Sequence, residues 1–246
     1  LHWVLGGGHG AYAPDEILLA RGAGRAIRGV IYFGAQLVVA AEDDGPLDAF
    51  ASETRRHPHL RSFVGPKPIV AGLWDRIRTW YRRPAIVRER QPVYVLRPPG
   101  PVLRDAAPAR RAVPDEAPLV AHHSARMIAG ELGYDPRESH AGFVSGVRRA
   151  IERGWWWVWI EDGELRFQCN IGAITPATLQ IQGVWSPPEL RGRGYATRAL
   201  ASIATQLLAE APTLSLYVND FNRDAIGLYE RLGFTPEGEL STYLFS

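Results

Sequence analysis

Apolar residues in the first hundred positions fall into short runs separated by polar, glycine- and proline-rich joints. Residues 26–40 are β-branched and aromatic around Gly34 and predict strand structure, while 46–57 carry apolar residues at helical spacing. A strand at 60–64, a helix at 68–81 and strands at 85–88 and 92–96 follow. Further on, 115–132 and 137–153 read as helices and 155–160 as a strand, and Asp162-Gly163 supplies a hairpin turn into a strand at 165–174. A strand at 177–185 precedes a helix at 195–210 that stops before Pro212, and 214–219 alternates as a strand. A helix at 222–232 closed by Gly233 and a last strand at 241–245 complete the series.

Pro98, Pro99, Pro101, Pro108, Pro114 and Pro118 break any regular element between these two sets, because proline lacks an amide donor and has a fixed φ. The break predicts two domains, 1–100 and 101–246, in an α/β (α+β) chain. The order β, α, β, α, β, β over 30–97 recurs over 177–246, a repeat of pattern and not of residue identity.

Composition narrows the classes. A chain of 246 residues that is 46% hydrophobic and 22% charged has enough apolar material for ordinary cores, which excludes disorder and fibrous repeats. The single cysteine, Cys169, rules out an internal disulfide framework or a multi-cysteine zinc site. No run reaches the roughly 18 apolar residues of a spanning helix, and 1–10 lack a basic leader region, so a cytoplasmic protein without a membrane partner is expected. A net charge of +2 is too small for a nucleic-acid partner, although 1–100 hold 14 basic against 9 acidic residues and 101–246 hold 14 against 17.

The stretch with chemical content is Pro187-Pro188-Glu189-Leu190-Arg191-Gly192-Arg193-Gly194-Tyr195-Ala196, set between a strand and a helix. Gly192 and Gly194 let the main chain turn tightly with its amides outward, Ala196 keeps the first helical turn small, and the helix start favours an anion such as a pyrophosphate. A plain glycine-rich turn has the same local pattern.

This loop resembles the pyrophosphate signature of the GNAT N-acetyltransferase superfamily, Q/R-x-x-G-x-G/A, with Arg191, Gly194 and Ala196 at its fixed positions. Downstream, Asn222-Arg223-Asp224-Ala225-Ile226-Gly227-Leu228-Tyr229-Glu230-Arg231-Leu232-Gly233-Phe234 is similar to the family's second signature, N-x-x-A-x-x-x-Y-x-x-x-G-F. The resemblance covers about 102–246. It implies a C-terminal GNAT fold with a mixed central sheet and two splayed parallel strands, while the repeat of pattern predicts an N-terminal α/β domain, a degenerate GNAT-like or related unit that, if GNAT-like, has lost its cofactor site.

It also implies acetyl-CoA as cofactor and a small-molecule or peptide amine as acceptor. The diphosphate would lie on Arg191, Gly192, Arg193, Gly194, Tyr195, Ala196 and Thr197. The pantetheine and thioester would lie along Gln182, Gly183, Val184 and Trp185, where a bulge at Gly183 and Val184 frees backbone donors. Tyr229 is the expected proton donor to the leaving thiolate. Asn222 is explained as a helix cap and, by the resemblance, lines the cofactor channel. Glu131 and Glu189 are the candidates for a general base. The alternative is a non-catalytic acyl-CoA-binding or sensory module. Neither signature specifies the acceptor, the acyl length or the oligomeric state.

Other features read as structural. Gly22 to Gly24 precede a strand-rich run and not a helix and predict a hairpin turn; the glycines of 6–10 have only a few residues of possible strand before them and Pro14 soon after, which does not suit a phosphate loop. Asp43-Asp44-Gly45 before the helix at 46–57 would repel a diphosphate. Trp155, Trp156, Trp157 and Trp159 alternate between two faces that must both be covered. His57, His59, His122 and His123 lack metal-site companions, and Cys169 reads as a small buried residue.

Overall fold

A computed structural model describes residues 16–34, 36–101, 107–139 and 142–245. The glycine run at 6–10 lies outside the described residues. In chain order the elements are β1 (Ile17–Arg21), β2 (Ile27–Phe33), β3 (Leu37–Ala41), α1 (Leu47–Thr54), β4 (Ser62–Pro66), α2 (Lys67–Ile77), β5 (Ile86–Leu96) and β6 (Arg110–Arg111). Then come α3 (Ala117–Leu132), α4 (Pro136–Ser139), α5 (Phe143–Glu152), β7 (Trp156–Glu161), β8 (Glu164–Ile174), β9 (Leu179–Trp185), α6 (Tyr195–Leu207), β10 (Leu214–Tyr217), α7 (Arg223–Arg231) and β11 (Thr235–Leu244).

The chain forms two compact units: residues 1–94, 217–226 and 236–246 make the first, and 95–216 with 227–235 the second. In the first, strands run β1-β2-β3-β4-β11-β5. The turn at Gly22 to Gly24 joins antiparallel β1 and β2, and β3 lies parallel to β4 through Leu37–Phe63 and Val38–Val64. The last strand in sequence pairs antiparallel with β4, Leu244 opposite Ser62 and Leu240 opposite Pro66. Periodicity shows that a segment is a strand but not which partner it takes, so this pairing was not legible in the sequence. The two short strands expected at 85–88 and 92–96 are one, β5, because Pro92 withholds only its missing amide while its carbonyl accepts from Val218 N–H at 3.2 Å.

The core of this unit lies where Leu47 and Phe50 of α1 and Ile69, Val70 and Leu73 of α2 meet Ile31, Leu37 and Phe63 of the sheet. Each such large side chain, wholly withdrawn from water, contributes about 1.5–3 kcal/mol. A polar network fixes the 217–226 segment: Gln91, 2% exposed, donates through Nε2 to Asn219 Oδ1 at 2.9 Å and accepts at Oε1 from Thr242 Oγ1 at 2.6 Å.

The second unit has the strand order β10-β9-β8-β7-β6. Ala117, Val120 and Ala121 of α3, with Val147 and Ile151 of α5, cover Trp156, Val158, Leu165 and Trp185. Ala199, Leu200, Ile203, Ala204 and Leu207 bury one side of α6, whose small residues permit close approach to the strands. The helix expected across 137–153 is two, α4 and α5, with Gly142 ahead of α5.

Strand β7 shows the alternation at work. Trp156 and Val158 join the core under α3, while Trp159 meets the Tyr195 ring at 4.9 Å and carries the Arg198 guanidinium at 4.8 Å, both from the first turn of α6. Trp157 packs under Arg111. The tryptophan-rich strand therefore braces the helix whose start carries the glycine loop.

Candidate functional site

Within the second unit, β9 and β10 are parallel, with registered partners Leu179–Leu214 and Gln180–Ser215 at their beginnings only, although β9 continues to Trp185. The two strands part beyond that point. On the other side of β9, Asn170 stands opposite Gln182 and Gln168 opposite Trp185, so the single residue Cys169 faces both Gly183 and Val184. This two-for-one register is a bulge. Gly183 takes φ +63°, and a Cβ there would lie 2.6 Å from Asn170 Oδ1, so any other residue would be both strained and crowded.

After β9 the chain makes a short 3₁₀ turn, Pro188–Leu190, and enters α6 through Gly192 at φ +74° and Gly194 at φ +78°. Arg198 donates the first helical hydrogen bond, to the Gly194 carbonyl at 3.1 Å. The amides of Gly194, Tyr195, Ala196 and Thr197 are thus the orphan donors of a helix start, and no side chain caps them. Arg191, Gly192, Arg193 and Gly194 are exposed, and Tyr195, Ala196 and Thr197 are half-buried. With no acidic residue in the first helical turn, the local field suits an anion. These features fit a diphosphate on the loop and an extended pantetheine beside the bulge.

Gln182 is exposed and its carboxamide lies over Gly172, where a Cβ would come within 2.4 Å of it. Trp185 is buried, its ring 5.2 Å from the His123 ring and under the Arg126 guanidinium, so only its main chain is available to the cleft. Tyr229, on α7, is 6% exposed. Burial pushes its phenol well above the ordinary tyrosine value, and Cys169 and the Glu131 carboxylate push in the same direction. Glu131 is itself exposed near the end of α3, within electrostatic reach of that phenol.

Asn222 caps α7: its Oδ1 accepts from Ala225 N–H at 3.2 Å and its carbonyl from Ile226 N–H at 3.1 Å. Glu189 is paired with Arg126 at 3.4 Å, and hydrogen bonds to a backbone amide and to Arg126 hold its carboxyl below the usual range. Cys169 is fully buried and its thiol is pushed far up by desolvation, which leaves no thiolate at neutral pH. Among the described residues no group of His, Cys, Asp and Glu is arranged to hold a metal ion, and no helix is long and apolar enough to cross a membrane.

Sequence reasoning missed a set of polar residues beside the bulge. Gln168 and Asn170, two apart on β8, share the face turned toward α3, where Gln168 Nε2 donates to Ser124 Oγ at 3.0 Å. His123 lies next to Ser124, with its Nδ1 sealed from solvent. Two carboxamides alternating with Phe167, Cys169 and Ile171 were the available signal.

Together these residues make a strand–glycine loop–helix unit beside a bulged β9 that parts from β10. The model of the acetyltransferase (GNAT) family matches residues 74–234, well over half of the chain, and the protein belongs to that family. Residues 17–120 match a domain family of unknown function, DUF4081. The acetyltransferase Atu2258 of Agrobacterium fabrum is 28% identical over 142 residues, which cover 56% of this chain and 86% of that protein. A GNAT acetyltransferase structure from Colwellia psychrerythraea superposes with a TM-score of 0.61 over 96% of this chain and 87% of its own, at 12% identity. A tandem GNAT protein from the clavulanic acid biosynthesis pathway does so with a TM-score of 0.55 over 95% and 85%, at 13% identity. At these identities the likeness concerns the fold alone.

Proposed function

We propose that this protein is an N-acetyltransferase that moves the acetyl group of acetyl-CoA to a primary amine of a small molecule or peptide. The observation that carries the reading is the uncapped row of amides from Gly194 to Thr197, led in by two left-handed glycines and adjoining a strand that is bulged at Gly183 and parted from β10. Bound acetyl-CoA supplies an activated acyl carbon, to which the amine nitrogen bonds as the carbon–sulfur bond breaks.

The chain's own residues divide the remaining work. Main-chain amides of 192–197 hold the diphosphate, with Arg191 and Arg193 adding charge beside them. The bulge at Gly183 and Val184 offers amide donors to the pantetheine and polarises the thioester carbonyl. Tyr229, kept protonated by its burial, gives its proton to the departing sulfur and regains one from solvent. Glu131 accepts the proton that the amine sheds. Asn222 fixes the start of the helix that carries Tyr229.

Calorimetry with acetyl-CoA, together with thiol release on adding amines, tests this reading. Saturable binding and amine-dependent release are expected. Binding without release with any amine would make the protein a sensor and not an enzyme, and absence of binding at millimolar acetyl-CoA would remove the site itself.

A further inference from the structure

One carboxylate adjoins the amides that would hold the diphosphate. Glu189 is exposed in the 3₁₀ turn Pro188–Leu190, and between Trp185 and Ala209 it is the sole acidic residue, set against Arg191, Arg193 and Arg198. The turn is tight: Leu190 N–H donates to the Pro187 carbonyl at 2.9 Å, and Arg191 N–H to that of Pro188 at 3.2 Å. Consecutive Cα atoms stand about 3.8 Å apart, so the Cα of Glu189 lies within about 7.6 Å of the Cα of Arg191, where the loop begins. Salt screens charges incompletely over such a span, and a bare carboxylate there would repel a diphosphate on the loop.

The carboxylate is not bare. Arg126 of α3 meets it with both arms of its fork, Nη1 at 3.4 Å from Oε1 and Nη2 at 3.4 Å from Oε2. The same guanidinium lies 5.5 Å from the ring centre of Trp185, the last residue of β9, so an aromatic face and a carboxylate hold it from two directions. An exposed pair of this length adds little to folding stability, so stability does not account for it. Hydrogen bonds to its own amide and to Arg126 keep the Glu189 carboxyl ionised at neutral pH. His123 also acts on Glu189, but burial pushes its imidazole down to about 4, so the countercharge at pH 7 is that of Arg126.

We propose that Arg126 is a positioning residue for the phosphate loop: it masks the Glu189 carboxylate and thereby sets the affinity of the loop for the phosphates of the acyl donor. This rests on the acyl-transfer reading and adds to it a determinant of donor affinity that lies outside the loop, on α3. A simple tether of α3 to the turn is the competing role, and it makes the opposite prediction for one of the two partners.

Calorimetry of acetyl-CoA binding at low ionic strength separates the two. A mask requires opposite signs. Glu189→Gln, which removes a negative charge, tightens acetyl-CoA by about threefold or more, whereas Arg126→Gln, which bares Glu189, weakens it by a similar factor. The double variant returns to within about twofold of the wild type. In 1 M salt, where the Debye length is about 3 Å, the single-variant ratios shrink toward one. A tether instead makes both single variants weaker, at either salt concentration. Glu189 is an exposed turn residue, so Glu189→Gln decides the sign even where Arg126→Gln disturbs the packing on Trp185. If Glu189→Gln weakens acetyl-CoA binding or leaves it unchanged, if the double variant stays as weak as Arg126→Gln, or if the ratios persist in 1 M salt, the mask is overturned and the acyl-transfer reading stands. If the wild-type protein binds no acetyl-CoA at millimolar concentration, the acyl-transfer reading falls and the mask with it.

Discussion

The two units contain the same crossover, β3–α1–β4 in the first and β9–α6–β10 in the second, each with parallel strands registered over two residue pairs. They differ in what faces the helix start. Ahead of α6 stand two left-handed glycines and amides that no side chain caps, with no carboxylate in the first turn. Ahead of α1 stand Asp43, Asp44, Gly45 and Pro46; the Asp43 carboxylate accepts the Gly45 amide at 3.0 Å and pairs with Arg28, while Pro46 has no amide to offer. Asp48 adds a further negative charge in that first turn.

The strands differ too. Gly65 on β4 lies so close to β3 that a Cβ would stand 2.2 Å from the Val39 carbonyl oxygen, whereas β9 and β10 part after Gln180 and Ser215. Topology alone therefore does not make an anion site. The proposed anion site of the second unit rests on uncapped amides at the helix start and on the parting of the strands, whereas in the first unit Asp43, Pro46 and Asp48 disfavour an anion and Gly65 sits tightly against Val39.

The largest effect that would break this comparison is at Gly194. Gly194→Val places a β-branched residue at φ +78°, and acetyl-CoA affinity should fall by about 100-fold or more by calorimetry, since the loop must rearrange to relieve about 1–2 kcal/mol of strain and loses several diphosphate donors with it. The matching change in the first unit, Gly45→Ala, should leave that affinity as it was. Equal losses from both would show that the halves are not specialised as described.

Next in size is Tyr229→Phe. Removing a general acid should lower kcat by roughly 10²-fold or more while the calorimetric affinity for acetyl-CoA is unaltered. An unaltered kcat would take Tyr229 out of the mechanism.

Gly65→Ala sharpens the contrast from the other side. Pressing a methyl group onto the Val39 carbonyl should cost about 1–3 kcal/mol, read as a fall in Tm of several degrees. Acetyl-CoA affinity, belonging to the second unit, should not follow it.

The smallest effect is a pH dependence that arises in the second unit. His123 has its imidazole pushed from about 6.5 down to about 4, chiefly by burial and then by His122 and Arg126, with Glu189 opposing. The unfolded chain then binds the extra proton between those two values, so stability is full above about 6.5 and declines as pH falls toward 4. Denaturant midpoints across that range should show the decline, and His123→Gln should flatten part of it. Identical profiles for the two proteins would mean that His123 is not buried neutral.

Much of this was legible in the residues. Gly192, Gly194 and the Ala-rich run after them announce a helix start with free amides, because glycine conformation and helix hydrogen bonding are local properties. The bulge was expected from the family resemblance, and the tolerance of glycine for bulge geometry placed it at Gly183 and Val184, where the register slips. The alternation Trp156, Trp157, Val158, Trp159 already required two covered faces.

Tertiary structure alone decided the rest. That β11 pairs with β4, that Trp159 braces Tyr195 and Arg198, and that Asn170 meets Gly183 while Gln168 reaches Ser124 are contacts between segments far apart in the chain. Periodicity tells a residue which face it occupies but not what stands opposite, because the pairing energy belongs to the two partners and neither segment carries it alone.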